Sequence, residues 1–319
     1  MKFIGLEEHF STPDYIAEFK SKSDDEYAVF DKICDVGSLR VAQMDEAGVA
    51  MQIVSLSTPG VEQLGGDDAV RVSAEINAYI SRAIEENPER FRAFMTIPTV
   101  SPPDAIRILR ETRETKGTPF VGVCVNGRIG DSYLDAPEFL PLLKEIEAMD
   151  LPVYLHPCLP PKAVVEHYYA GPWADATADK FARGALGWHM ETAVHVFRMV
   201  LGGVFDRCPN LKLVIGHLGE GAPFFFQRFL HVMPREATKL DRPVDEYLRE
   251  NIYYTISGFN YDAVFNCLAE QVGADHILFS SDYPFGSQKA AVDFMDRLPL
   301  SESDKHKIAH ENAENLFHL

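Results

Sequence analysis

The strongest constraint on the fold of this chain is an alternation that runs its whole length. Short apolar runs rich in β-branched and aromatic residues fall at 2–9, 51–57, 91–97, 119–125, 152–156, 211–217, 252–257 and 276–281. Helical patterns occupy 38–47, 68–87, 136–149, 190–203, 261–271 and 303–317. Continuous apolar runs are the mark of strands buried on both faces, and strands joined by helix-length crossovers pair in parallel. Such a pattern suits either a doubly wound open sheet or a (β/α)8 barrel. The end residues favour closure. The first run ends in Glu7-Glu8-His9 and the last in Ser281-Asp282. In a barrel these carboxyl ends are neighbours, whereas an open sheet would keep them apart. The expected fold is therefore an α/β (β/α)8 TIM barrel forming a single domain over 1–319, with inserted loops and extra helices at its carboxyl-terminal face. At 319 residues and 46% hydrophobic content the chain can bury such a core.

Punctuation between the runs fits this reading. Ser11-Thr12-Pro13-Asp14 and Ser101-Pro102-Pro103-Asp104 combine a hydroxyl cap, proline in the first turn and an acid at the positive end of the helix dipole. The polar stretch 21–27 reads as a loop over the barrel mouth. Residues 157–187, rich in Pro, Ala and aromatics, read as a lid or contact surface, and 220–250 must hold one or two extra helices.

Charge and composition narrow the function. A net charge of −18 disfavours nucleic acid and anionic membranes, both of which demand clustered Lys and Arg. No apolar stretch reaches the length of a membrane span, and no basic segment followed by an apolar one opens the chain. Five cysteines, Cys34, Cys124, Cys158, Cys208 and Cys267, lack C-x-x-C spacing, which argues against a thiolate zinc site and for a reducing, cytoplasmic setting.

The chemistry gathers at strand ends. In an extended segment residues i and i+2 share a face, so Glu7 and His9 project together while Glu8 points away. Three later runs also end in ligand or acid-base residues, at His156, His217 and Asp282. Glu7, His9, His156 and Asp282 form a mixed N/O set suited to one divalent ion, Zn²⁺ or Mn²⁺, with Mg²⁺ as a further option. Gly216-His217-Leu218-Gly219-Glu220 places a carboxylate three residues beyond an imidazole, close enough to fix its tautomer. Cys158 lies near His156 but reads as a small buried hydrophobe. His167, His189, His195, His306, His310 and His318 read as surface or packing residues.

The segments Leu6-Glu7-Glu8-His9-Phe10, Tyr154-Leu155-His156-Pro157, Glu191-Thr192-Ala193-Val194-His195, Gly216-His217-Leu218-Gly219-Glu220 and Ser281-Asp282-Tyr283-Pro284-Phe285 resemble, in the same order, signature segments of the amidohydrolase-related aromatic decarboxylases, the γ-resorcylate and 2,3-dihydroxybenzoate decarboxylase type. Glu7-x-His9 departs from the His-x-His of the wider superfamily, a departure shared with the γ-resorcylate type. The resemblance implies reversible, non-oxidative loss of CO₂ from an ortho-hydroxylated benzoic acid, a small aromatic acid as the only partner besides further copies in a homodimer or homotetramer, and Asp282 as the proton donor.

Residue chemistry agrees with this. Loss of a ring carboxylate leaves an aryl carbanion unless the ring carbon is protonated first, which an ortho hydroxyl permits by becoming a ketone. That calls for a Lewis acid and a proton donor. Asp282 is expected to deliver the proton, with His217 as the other candidate donor; His217, held by Glu220, is otherwise expected to tend the phenol and carboxylate. Asn126 is expected to bind a second ring hydroxyl, Phe10 and Trp188 to sandwich the ring, and Arg228, as the relatives imply, to reach a neighbouring subunit's site. A metal-dependent lactone or amide hydrolase uses the same ions to activate water and is the alternative, followed by a barrel that binds a small acid without catalysis. The absence of a metal-bridging lysine at Val125-Asn126 favours one metal and the decarboxylase.

Overall fold

The computed structural model describes residues 1–19, 29–115 and 117–319, so the loop expected at 21–27 lies outside the described residues. Eight strands form one sheet in chain order: β1 (Ile4–Phe10), β2 (Met51–Leu56), β3 (Phe91–Thr96), β4 (Phe120–Asn126), β5 (Val153–His156), β6 (Leu213–Ile215), β7 (Ile252–Thr255) and β8 (Ile277–Leu278). Every ladder is parallel. The sheet closes between β8 and β1 through a bridge from Leu6 to Ser280, giving the expected (β/α)8 barrel.

Alternation along the strands sorts the side chains into two layers. Ile4, Leu6, Ile53, Phe94, Cys124, Tyr154, Val214 and Leu278 fill the barrel, together with Ala313, Leu316 and Phe317 of the last helix, Asn312–Phe317. Phe94 meets Phe317 edge-on with centroids 5.6 Å apart, so this helix closes the barrel floor and only the carboxyl-terminal mouth is available for chemistry. Outward residues pack on the helices. Helix Gly66–Glu85 buries Ala69, Val72, Ile76, Ile80 and Ile84, a three- and four-residue spacing that lays one apolar stripe on the sheet.

The insertions are helical. Residues 157–187 contain Lys162–Val164, Val165–Tyr169, Asp175–Lys180 and Phe181–Ala185. Residues 220–250 contain three helices, Ala222–Val232, Arg235–Thr238 and Val244–Glu250, where one or two were expected. Helix Gln288–Arg297 was not anticipated. Its signals are in the sequence: Ser287 caps it by accepting from the Ala290 N–H at 3.2 Å, and Ala291, Val292, Phe294 and Met295 form its buried face.

Candidate metal centre

Three strands end earlier or less regularly than their apolar runs predict, and the irregularities aim the functional side chains. In a regular strand, Leu6 pointing into the barrel would send Glu7 outward. Instead the β1–β2 register shifts between Gly5 and Glu8, and Glu7 adopts a left-handed φ of 55°. This bulge resets the phase, so Leu6 fills the core while Glu7 and His9 both enter the lumen. β6 stops at Ile215, and His217, Leu218, Gly219, Glu220 and Gly221 all have positive φ, a left-handed turn that folds Glu220 back under His217. Asp282, beyond β8, is left-handed as well, with φ 62°.

These turns bring Glu7, His9, His156, His217 and Asp282 together. His9 Nε2 lies 3.2 Å from Asp282 Oδ1, and His156 Nε2 lies 3.9 Å from Glu7 Oε1. Candidate ligand atoms of Glu7, His9 and His156 lie within 4.8 Å of one another. His217 Nδ1 is 3.3 Å from Glu7 Oε1, and its Nε2 is 3.9 Å from Asp282 Oδ2. Neighbours fix the orientation of these groups. Thr255 Oγ1 donates to Glu7 Oε2 at 2.6 Å, which leaves Oε1 buried without a hydrogen bond and turned to the histidines. Ser55 Oγ stands 3.3 Å from His9 Nδ1, leaving Nε2 for Asp282 and an ion. Gly216 is required for close approach, because a Cβ there would collide with the Glu7 carboxylate.

The electrostatics suit a cation. Burial raises the Glu7 carboxyl above its ordinary range against the pull of His217. Burial, with His9 and His217 beside it, holds His156 well below the usual imidazole value, so it is the neutral ring that a metal requires. Two imidazoles, two carboxylates and an orphaned buried oxygen fit one divalent ion of mixed N/O preference.

Beside this cluster lies a second, His189–Glu220–His217. Glu220 Oε1 lies 2.8 Å from His217 Nδ1, and its other oxygen meets His189 Nδ1. The far nitrogen of His189 donates to the Gly184 carbonyl at 2.9 Å, tying the 157–187 insertion to the site. Burial works against charge on His217, yet the carboxylates of Glu220, Glu7 and Asp282 lift it to about 10. Burial also works against charge on Glu220, but His217 and His189 hold it below the ordinary carboxylate range.

Other expectations fare differently. Asn126 ends β4 inside the barrel, in register with His156, with Oδ1 buried and unpartnered. Trp188 stands edge-on to His156 at 6.5 Å, with its indole N–H also unpartnered. Phe10 is a correction. It alternates with His9, so it faces away from the lumen and stacks on Tyr79 at 6.4 Å in the helical layer, where it cannot sandwich a ring in the mouth. Aromatic groups that do approach the site include Phe285, 5.9 Å from His9, and Phe259, 5.4 Å from His217. Both lie just beyond strand ends, where barrel loops line the mouth. Arg228 is exposed on helix Ala222–Val232. His189 is no mere packing residue, whereas His195 is: burial pushes it down to about 3, and its Nε2 accepts the Leu134 N–H at 2.9 Å. Glu191 accepts from the Tyr133 hydroxyl at 2.6 Å, so the 191–195 segment fastens the loop after β4. A buried Glu62, pushed up to about 7 by burial against amide donors from Asn126 and its own loop, was also missed.

Known proteins similar to this chain include decarboxylases. The family model described as Amidohydrolase matches residues 31–319. The γ-resorcylate decarboxylase of Polaromonas sp. (strain JS666) is 33% identical over 99% of this chain and 98% of its own. A crystal structure of 2,6-dihydroxybenzoate decarboxylase complexed with 2,6-dihydroxybenzoate superposes with a TM-score of 0.89 at 30% identity, covering 100% of both chains. A dihydroxybenzoic acid decarboxylase from Polaromonas sp. JS666, with bound manganese and the inhibitor 2-nitroresorcinol, gives 0.88 at 32% identity over 100% of this chain and 97% of that one.

Proposed function

Because the chain belongs to the amidohydrolase family, on the branch of the γ-resorcylate decarboxylases, we propose that it is a carboxy-lyase that converts an ortho-hydroxylated benzoic acid of the 2,6- or 2,3-dihydroxybenzoate kind to the phenol and CO₂. The observation that carries this reading is the buried cluster of Glu7, His9 and His156, with Asp282 Oδ1 3.2 Å from His9 Nε2 and the His217–Glu220 pair beside it. Glu7, His9, His156 and Asp282 would hold one divalent ion, Mn²⁺ or Zn²⁺. Manganese is favoured by the similar enzyme crystallised with it. When bound, the ion supplies a Lewis acid for the phenolate and carboxylate oxygens.

The protein's own groups do the rest. Trp188, with Phe259 and Phe285 in place of Phe10, confines the ring, and Asn126 offers an unpaired amide oxygen to a second hydroxyl. Asp282 delivers a proton to the ring carbon bearing the carboxylate while the ortho oxygen, ionised to phenolate, becomes a ketone. The carbon–carboxylate bond then breaks, its electron pair restores the aromatic ring, and CO₂ leaves. His217, tied to Glu220 and 3.9 Å from Asp282 Oδ2, is placed to restore that proton. Phe224 and Phe225, exposed beside Arg228, support a homodimer or homotetramer. The scattered cysteines, which lack C-x-x-C spacing, support a cytoplasmic location.

Microscopic reversibility supplies the test. Manganese-loaded protein given resorcinol and concentrated ¹³C-bicarbonate should place label ortho to a hydroxyl, and benzoic acids without an ortho hydroxyl should not lose CO₂. Opening of simple lactones with no label entering the ring would overturn the decarboxylase in favour of the hydrolase.

A further inference from the structure

The barrel closes along a thin seam, and that seam carries three of the four proposed ligands. β8 has only two residues, and its link to β1 consists of the Leu6–Ser280 bridge, the Leu6 N–H donating to Phe279 O at 3.1 Å and the His9 N–H donating to Tyr283 O at 2.7 Å. A regular ladder cannot run through the site itself, because Glu7 on one side and Asp282 on the other are left-handed. Something else must fix the distance between them.

Glu8 is placed to do so. The bulge turns its side chain away from the lumen, behind the barrel wall, where it is 1% exposed. Its Oε1 accepts the Ser281 N–H at 2.8 Å. Its Oε2 accepts the Ser281 hydroxyl at 2.7 Å and the Tyr283 N–H at 3.2 Å. The amides immediately before and after Asp282 therefore end on one carboxylate, which grips the turn that presents Asp282. Gln52 Nε2 approaches the same carboxylate at 3.5 Å, and its Oε1 lies 3.5 Å from Arg40 Nη1. Arg40 in turn donates from Nη2 to the His9 carbonyl at 2.6 Å and lies over the Tyr283 ring at 4.7 Å. One buried network thus joins the backbone of His9 to the backbone on both sides of Asp282.

We propose that Glu8 is a positioning residue for the metal centre: through Ser281 and Tyr283 it holds Asp282 at coordinating distance from the ligands on β1. The proposal rests on the reading of the site as a metal centre. In Glu8→Gln an amide nitrogen replaces one acceptor and confronts a donor, so the grip loosens with little change of volume. Outer residues that orient ligands change metal affinity by about 10–100-fold when replaced.

The experiment is a double-mutant cycle read by Mn²⁺ affinity, using competition with a chelator on wild type, Glu8→Gln, Asp282→Ala and the double variant, with thermal melts alongside. Glu8→Gln should weaken Mn²⁺ binding about 10–100-fold, and in the Asp282→Ala background it should weaken it no further. Ser281→Ala, which removes only the hydroxyl donor, should give a smaller loss with the same dependence on Asp282, and it serves as the test if Glu8→Gln does not fold. Unchanged affinity in Glu8→Gln, even with a lower melting temperature, would reduce Glu8 to a structural role and overturn the proposal. Losses that multiply in the double variant would also overturn it, because Glu8 would then act through something other than Asp282. Failure of the wild type to bind Mn²⁺ would instead remove the metal-centre reading.

Discussion

Glu220→Gln tests the proton machinery with almost no change of shape. One oxygen of Glu220 lies 2.8 Å from His217 Nδ1, and the residue is fully buried, so it interacts with that ring without screening by water. Raising an imidazole from 6.5 to about 10, at about 1.36 kcal/mol per pH unit, amounts to roughly 5 kcal/mol in favour of the imidazolium. Glu220 is the largest of the three carboxylate contributions. A divalent ion on Glu7 and Asp282 would offset the other two, which makes Glu220 the dominant one in the loaded enzyme. Neutralising it should let burial return His217 towards or below 6.5, so at pH 7 the ring would be mostly uncharged. The expected result is a fall in kcat of about 10–100-fold at pH 7, retention of the metal, and partial recovery of rate as the pH drops and His217 protonates. His217→Asn should cost more, about a hundredfold or beyond, with no recovery on acidification. The assay is the initial rate of 2,6-dihydroxybenzoate loss at saturating substrate from pH 5 to 9, with metal content measured on the same samples. If Glu220→Gln kept the wild-type rate and pH profile, the pair would be a packing feature and the proposed route of the proton would be refuted.

Two further outcomes follow from the same geometry. His156→Ala should lower the metal content from about one ion per chain to near zero by elemental analysis, and undiminished metal would remove His156 from the site. His217 ionises at about 10 in the metal-free fold against about 6.5 in an unfolded chain, so its stabilising contribution is complete below about pH 6.5 and is lost as pH rises through about 10. Calorimetry of chelator-treated protein should therefore show a melting temperature that falls across that window and a shallower fall in His217→Asn; equal slopes would contradict the assignment.

Much of this was legible because barrel chemistry sits at strand ends and strand ends can be read from apolar runs. Glu7, His9, His156, His217 and Asp282 were singled out in that way and lie together in the structure, and alternation alone sent Glu8 outward. The same alternation, applied one residue further, would have sent Phe10 outward too. His189 left no such trace. It meets Glu220 across 31 positions of sequence, near the start of a helix preceded by an irregular insertion, and no period marks it. Glu62 was hidden for a similar reason, on a loop that returns beneath Asn126.

What a pattern of residue types cannot reveal is backbone strain. Glu7, His217, Leu218, Glu220 and Asp282 occupy the left-handed region, which costs a residue with a Cβ about 1–2 kcal/mol, so the five together cost about 5–10 kcal/mol. That is comparable with the whole stability of an ordinary domain. Strain of this size persists only where surrounding contacts over-determine the conformation. Here those contacts are the Thr255 hydroxyl on Glu7, the open space at Gly216, the shared carboxylate of Glu220 and the Glu8 bonds on either side of Asp282. A bound cation would add its own attraction for Glu7 and Asp282 to the same balance. The site is thus held by residues that need never touch a substrate, and the geometry most costly to maintain is the one that turns two carboxylates and the imidazoles toward one another.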